Sequence, residues 1–207
     1  MANIYDKASL VMIPSGTKAS KIFSQKPVNG DGDFTFSRST AATRVNADGN
    51  IEKETSNRIL QSNSFGTSPW AGNNTNIVSG QSGYDGSNNA WQLQAQGGYA
   101  YRGQSLSSNG VQTFSVYAKE GSVPCMRLYT TGSASLRANF DLSNGSVIDH
   151  QGIEATIESA GNGYYRCSLT FNANSTFIYI YAARAGGNIA TTITGDNIFI
   201  LDARLEQ

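Results

Sequence analysis

One histidine, two cysteines and scattered carboxylates are what this 207-residue chain offers to chemistry. His150 follows Asp149 in an expected turn and has no Cys or His companion at metal-ligand spacing. Serine is abundant, but no Gly-x-Ser-x-Gly elbow occurs, and any nucleophilic triad would rest on His150 alone. Hydrolysis of a glycoside needs two carboxylates facing one another. Asp141, Asp149, Glu154, Glu158, Asp196 and Asp202 fall instead at expected turns or outward strand positions, where they read as solvated surface groups. The run Asn29-Gly30-Asp31-Gly32-Asp33-Phe34 has the look of a calcium loop, but Phe34 stands where glycine is required and Thr40 where glutamate is required. A non-catalytic protein without a cofactor is expected.

Recognition is the chemistry that remains. A pyranose ring binds by laying its apolar C–H face on a flat aromatic surface while amides and hydroxyls catch its rim. The aromatic pool is Trp70, Trp91, Tyr99, Tyr101, Tyr117, Tyr129, Tyr179 and Tyr181. Trp91 follows a core-like alternation and reads as structural. Tyr99 and Tyr101 share a face beside Gly97 and Gly98, and Tyr117 lies opposite the Phe114 face. These three are the candidates for an exposed contact, either with a glycan or with a partner subunit.

The elements that must position these residues are strands. Short alternating runs recur with turns between them, and no window of useful length has helical spacing. Trp91, Leu93 and Ala95 share one face; so do Phe114, Val116 and Ala118, then Tyr165, Cys167, Leu169 and Phe171, and then Phe199, Leu201, Ala203 and Leu205. Phe177-Ile178-Tyr179-Ile180-Tyr181 is apolar on both sides, as for a central strand with core on one face and a neighbour or ligand on the other. Turn signals at Ser143-Asn144-Gly145, Gly161-Asn162-Gly163 and Ala185-Gly186-Gly187-Asn188 suit a two-sheet sandwich, placed at residues 58–207. Cys125 and Cys167, in separate expected strands and without a C-x-x-C pattern, read as two buried thiols.

Residues 1–57 differ in kind. They are poor in large apolar residues but rich in turn chemistry, with a Gly30–Asp33 turn cluster, a short strand from Phe34 to Ser37 and a turn at Ala47–Asn50. Leu10, Val11, Met12 and Ile13 form an extended apolar strip with no obvious partner within the arm, so it is expected to dock on something. Arg38 and Arg44, among small hydroxyl residues, would either pair with carboxylates of neighbouring chains or remain in solvent.

Composition narrows the partners. Fifteen basic residues balance fifteen acidic ones and only 14% of the chain is charged, against roughly 25% in ordinary soluble proteins. With no basic run, a phosphate backbone or anionic membrane has little to attract, so no nucleic-acid partner is expected. The start, MANIYDKASLVMIPSG, reads as neither a secretory signal nor a membrane anchor, which predicts a protein made in a cytoplasm without membrane insertion.

Two resemblances add to this reading. IPSGTKASKIFSQKP, GDGDFTFSR and ATRVNADGNIEK resemble the N-terminal module of tailed-bacteriophage appendage proteins. That implies a virion location, an anchoring and trimerising arm at residues 1–57, and docking on capsid or other virion proteins. With a chain of this size it points to a head fibre, the alternative being a receptor-binding tail fibre. In the second part, LQSNSF with Trp70, the stretch near Gln104, VQTFSVYAK, GNGYYRCSLTF and IFILDARLE resemble jelly-roll carbohydrate-binding modules. This second resemblance implies a jelly-roll sandwich that would touch host-surface glycans; taken with the first, it makes the chain an all-β protein with an extended arm carrying short hairpins, followed by the jelly roll and assembled as a homotrimer. Such modules often carry a structural ion, which makes Asp202 the one metal candidate, against a plain structural aspartate. A stand-alone lectin and a polysaccharide depolymerase are the competing functions.

Overall fold

The computed structural model describes residues 7–18, 21–29, 31–35, 43–45, 51–53 and 57–207. The chain divides into two compact units, Met1–Glu54 and Thr55–Gln207, three residues before the boundary expected from sequence. Asn57 accounts for part of the difference. Its side chain donates to the Ala203 carbonyl (3.0 Å) and accepts from the backbone N–H groups of Ile59 (3.0 Å) and Leu205 (2.9 Å). The entry to the second unit is thereby laced to its last strand.

In the first unit, β1 (Val11–Lys18), β2 (Lys21–Lys26) and β3 (Phe34–Thr35) form a three-stranded antiparallel sheet, and β4 (Thr43–Val45) pairs with β5 (Ile51–Lys53). The expected turn chemistry organises the β2–β3 connection. Asp33 accepts from the Ser24 backbone N–H (2.8 Å) and hydroxyl (3.1 Å), and Asn29 Oδ1 accepts from the Asp31 N–H (3.2 Å). The apolar strip is therefore partly in a strand: Val11 is half-buried, while Leu10 remains exposed with its Cδ1 over Gly32. Arg38, the Ala47–Asn50 turn and the side chains of Met12, Ile13 and Arg44 lie outside the described residues.

The second unit is a jelly-roll β-sandwich of two six-stranded antiparallel sheets. Its strands are β6 (Trp70–Asn73), β7 (Thr75–Gln81), β8 (Ala90–Ala95), β9 (Tyr101–Ser108), β10 (Val111–Glu120) and β11 (Cys125–Gly132). They continue with β12 (Leu136–Asp141), β13 (Ser146–Gln151), β14 (Glu154–Gly161), β15 (Tyr164–Asn172), β16 (Ser175–Ala183) and β17 (Asn197–Glu206). The first sheet runs β14-β15-β10-β17-β8-β7 and the second β13-β12-β11-β16-β9-β6. From β8 to β11 and from β15 to β17 each strand passes to the opposite sheet, so sequence neighbours face one another across the core.

The alternation read from sequence builds that core. Leu93, Phe114, Val116, Cys167, Leu169 and Phe171 from the first sheet meet Met126, Leu128, Phe140, Ile178 and Ile180 from the second. Burial on this scale, at roughly 25 cal/mol per Å² of apolar surface, is the main force closing the two layers. Trp91 packs on this core and donates its indole N–H to the Asn63 carbonyl (3.0 Å). The β14–β15 hairpin turns through Asn162 (φ 50°) and Gly163 (φ 78°), the left-handed pair a tight hairpin needs.

One strand departs from the expected alternation. Ile198, Ile200, Ala203 and Leu205 of β17 face the main core, while Leu201 and Phe199 join Ala90, Tyr164, Tyr84 and Tyr117 in a separate cluster. A bulge opposite Val116, with Asp202 in the left-handed region at φ 46°, shifts the phase by one residue within the strand. His150, expected in a turn, lies exposed in β13 opposite Ala138. No helix among the described residues is long and apolar enough to cross a membrane.

Candidate functional site: an aromatic platform on the second sheet

Strand register arranges the outer face of the second sheet into ordered rows. Residues directly opposite one another share a face. One row runs Asn73, Tyr101, Tyr181, Arg127, Asn139, Asp149 across β6, β9, β16, β11, β12 and β13. The next runs Ala71, Gly103, Tyr179, Tyr129, Arg137, Gln151 across the same strands. Phe177 begins a third row between Ser105 and Thr131. Rings thus occupy the middle of the sheet, and amides, guanidiniums and a carboxylate occupy one flank.

The rings form a continuous cluster. Tyr179 is its hub, with centroids 4.5 Å from Phe177, 5.0 Å from Tyr101, 5.5 Å from Tyr129 and 5.9 Å from Tyr181. Tyr101 also lies 5.2 Å from Tyr181. Tyr101, Tyr129, Phe177 and Tyr179 are half-exposed, while Tyr181 is buried. Burial first, then the neighbouring phenols, pushes the Tyr181 hydroxyl well above the usual range. Gly103 makes room for the platform. A Cβ there would stand 2.6 Å from Phe177 Cε1 and 3.0 Å from Tyr179 Cδ1, so the two rings lie against bare backbone.

A cleft of about 260 Å³ opens at the polar end, lined by Tyr99, Arg127, Tyr129, Arg137, Tyr181 and Ile189. Its wall comes from two loops tied together. The Tyr99 N–H donates to the Ile189 carbonyl (2.8 Å), and the Thr192 hydroxyl donates to the Gly97 carbonyl (2.9 Å). Tyr99 sits at φ 58° and is 56% exposed, so the loop holds an aromatic ring out beside the cleft. A single 3-10 turn, Ala185–Gly187, caps the row at Asn139 and accepts at the Gly187 carbonyl from Arg127 Nη2 (3.0 Å). Arg184 holds this loop by donating Nε (2.7 Å) and Nη2 (3.2 Å) to Asp196, which also accepts from the Ile193 N–H (3.0 Å).

Polar side chains on the flank are interlocked. Arg127 Nε donates to Asn139 Oδ1 (2.6 Å), and Asn139 Nδ2 donates to Asp149. Arg137 donates to Gln151 Oε1 (3.1 Å) and Asp149 Oδ2 (3.4 Å). This chain fixes both guanidiniums beside the tyrosines without side-chain freedom to lose on binding.

The structure brings Tyr99 and Tyr101 to this one face and places Tyr117 elsewhere. Tyr117 lies on the outer face of the first sheet, stacked on Tyr84 at 4.6 Å with the Arg166 guanidinium 5.9 Å from its ring. Tyr129, Tyr179 and Tyr181, together with Arg127 and Arg137, complete the site. The two-sided apolar run at Phe177–Tyr181 was the signal for part of it. Asp202 sits in the β17 bulge, where burial raises its carboxyl above the ordinary value. Among the described residues no group of three His, Cys, Asp or Glu side chains is placed to hold a metal ion.

The fold and platform define a jelly-roll β-sandwich with an aromatic, partly polar sheet face. No family model matches the chain, and no curated protein matches it. Among solved structures the chain is similar to a family 61 carbohydrate-binding module in complex with β-1,4-galactotriose, at 13% identity over 72% of this chain and 97% of that one, TM-score 0.41. It is similar to a mutant family 29 carbohydrate-binding module complexed with mannohexaose, at 13% identity over 65% and 77%, TM-score 0.35. It is also similar to the enzymatically active domain of tailspike protein 4 of bacteriophage CBA120, at 10% identity over 72% of this chain but 21% of that one, TM-score 0.38. At these identities and scores, function has to be argued from the chain's own residues.

Proposed function

We propose that this chain is a non-catalytic virion protein, a capsid-attached head fibre, whose jelly-roll unit adheres weakly to host-surface glycans through the outer face of its second sheet. The observation that carries the glycan part is the tyrosine cluster, with Tyr101, Tyr129 and Tyr179 half-open to solvent over the buried Tyr181 and flanked by fixed hydrogen-bonding side chains. Flat rings beside preorganised amides and guanidiniums are what a pyranose needs from a protein surface. The first unit's motifs, IPSGTKASKIFSQKP, GDGDFTFSR and ATRVNADGNIEK, support the virion part through their resemblance to phage appendage modules. Many copies on one particle, assembled as trimers, would turn weak contacts into useful avidity.

A glycan array probed with the full chain tests the first part. Binding that falls about tenfold in Tyr179→Ala, the loss of about 1.4 kcal/mol, and persists in Tyr179→Phe supports the platform. No binding to any glycan overturns it. Immunogold labelling of phage particles tests the second part: gold over the heads supports a head fibre, gold confined to tail tips makes the chain a tail fibre, and no labelling leaves a free lectin.

A further inference from the structure

The charge of the cleft goes further than its aromatic character. Its lining contains two guanidiniums, Arg127 and Arg137, and no carboxylate. Among the described residues Asp149 is the one carboxylate bonded to either of them, through Arg137 at 3.4 Å, and it also takes the Asn139 amide. Arg127 and Arg137 stand on adjacent strands in adjacent rows, a diagonal separation of about 7–8 Å between Cα atoms. Two like charges at that spacing on a partly desolvated face repel one another, and one carboxylate, bonded to Arg137 alone, offsets only half of the charge.

Donors remain unused as well. Arg127 spends Nε on Asn139 and Nη2 on Gly187, which leaves its Nη1 without an acceptor among the described residues. Arg137 Nε is buried and has no acceptor among the described residues. Burial, with the Arg137 charge second, pushes the Arg127 guanidinium below its ordinary value, in keeping with an unmet need for an anion. The surrounding walls are phenol rings from Tyr99, Tyr129 and Tyr181, which suit a sugar ring better than a bare inorganic ion.

We infer that the Arg127–Arg137 cleft binds the carboxylate of an acidic pyranose, a uronate or sialate residue, whose ring lies on the adjoining tyrosines. The inference rests on the glycan-binding reading of the same platform and names its ligand class. A carboxylate matches the planar donor edge of a guanidinium, and a second guanidinium diagonal to the first supplies charge without a competing acid. The remaining sugars of the chain would extend over Tyr179 and Tyr101, where no formal charge is required.

The test uses the full chain and matched pairs of oligosaccharides: oligogalacturonates and sialyllactose, each beside its methyl-esterified form, with a sulfated oligosaccharide as a third arm. The expected result is at least tenfold tighter binding of a carboxylate form than of its ester, a preference that weakens as salt rises. Arg137→Gln and Arg127→Lys should each erase most of that preference, with thermal melts confirming that the variants fold. Arg127→Lys keeps the charge but loses the fork, so it separates geometry from net charge. Equal binding of acid and ester, still reduced by Tyr179→Ala, overturns the acidic-ligand inference and leaves the platform standing. Preference for the sulfated arm overturns the carboxylate assignment. Absence of binding to every arm, and to the neutral array as well, overturns both.

Discussion

Replacing Gly103 with alanine adds a single methyl group beneath the platform. Its φ lies outside the left-handed region, so the backbone itself accepts any residue, and the whole effect comes from contact. The new Cβ would stand 2.6 Å from Phe177 Cε1, 2.7 Å from the Ile178 carbonyl oxygen and 3.0 Å from Tyr179 Cδ1. Ordinary van der Waals contact begins near 3.5 Å, so two rings and one strand must each move by about 0.5–1 Å. Overpacking of this kind costs about 1–3 kcal/mol, which for a chain of this size lowers Tm by roughly 2–12 °C. Thermal unfolding followed by near-ultraviolet circular dichroism, which reports the tyrosine cluster directly, is the assay. Adding Phe177→Ala to Gly103→Ala removes the closest contact and should recover part of the loss, a coupling of at least about 0.5 kcal/mol. A Gly103→Ala chain that melts with the wild type, and shows no coupling to Phe177→Ala, would refute the claim that the rings need bare backbone beneath them.

Three further outcomes follow from the same structure. The Arg184 hydrogen bonds, ahead of burial, which opposes them, hold the Asp196 carboxyl below its ordinary value of 3.8. The folded state therefore binds fewer protons than the unfolded chain, and this contribution is complete above that value and lost as pH falls through the lowered one; Asp196→Asn should flatten the acid limb of Tm against pH, and an unchanged limb would remove the staple from the account. Gln104, 1% exposed, accepts from the Leu60 N–H (2.9 Å) and donates to the Leu60 carbonyl (2.8 Å), so Gln104→Leu should destabilise the chain by about 1–3 kcal/mol in urea unfolding. Cys125 and Cys167 are both fully buried free thiols, each pushed up by burial, so neither should react with a thiol reagent until the chain unfolds; rapid labelling of the native protein would contradict their placement.

Much of the sandwich was legible because its strands obey a simple period. Phe114, Val116 and Ala118, and Tyr165 through Phe171, alternate without interruption and face the core as the pattern requires. β17 departs from its sequence pattern at Phe199 and Leu201 because a bulge at Asp202 changes the phase inside the strand, and a left-handed aspartate leaves no mark in hydrophobic periodicity. The site was legible in fragments. Tyr99 and Tyr101 stood out beside their glycines, but grouping them with Tyr117 required knowing which sheet β10 joins. Tyr129, Arg127 and Arg137 come to Tyr179 and Tyr181 only through the β16-β11-β12 register, a long-range pairing that local sequence does not encode.

Where a sugar lands on the sandwich decides between its two outer faces. Amide chemical-shift mapping of the isotope-labelled full chain, titrated with an oligosaccharide that it binds, answers this in one experiment. Perturbations concentrated at Tyr99, Tyr101, Arg127, Tyr129, Arg137, Tyr179 and Tyr181 are the predicted result. Perturbations centred instead on Tyr84, Tyr117 and Arg166 would place recognition on the opposite sheet and contradict the platform.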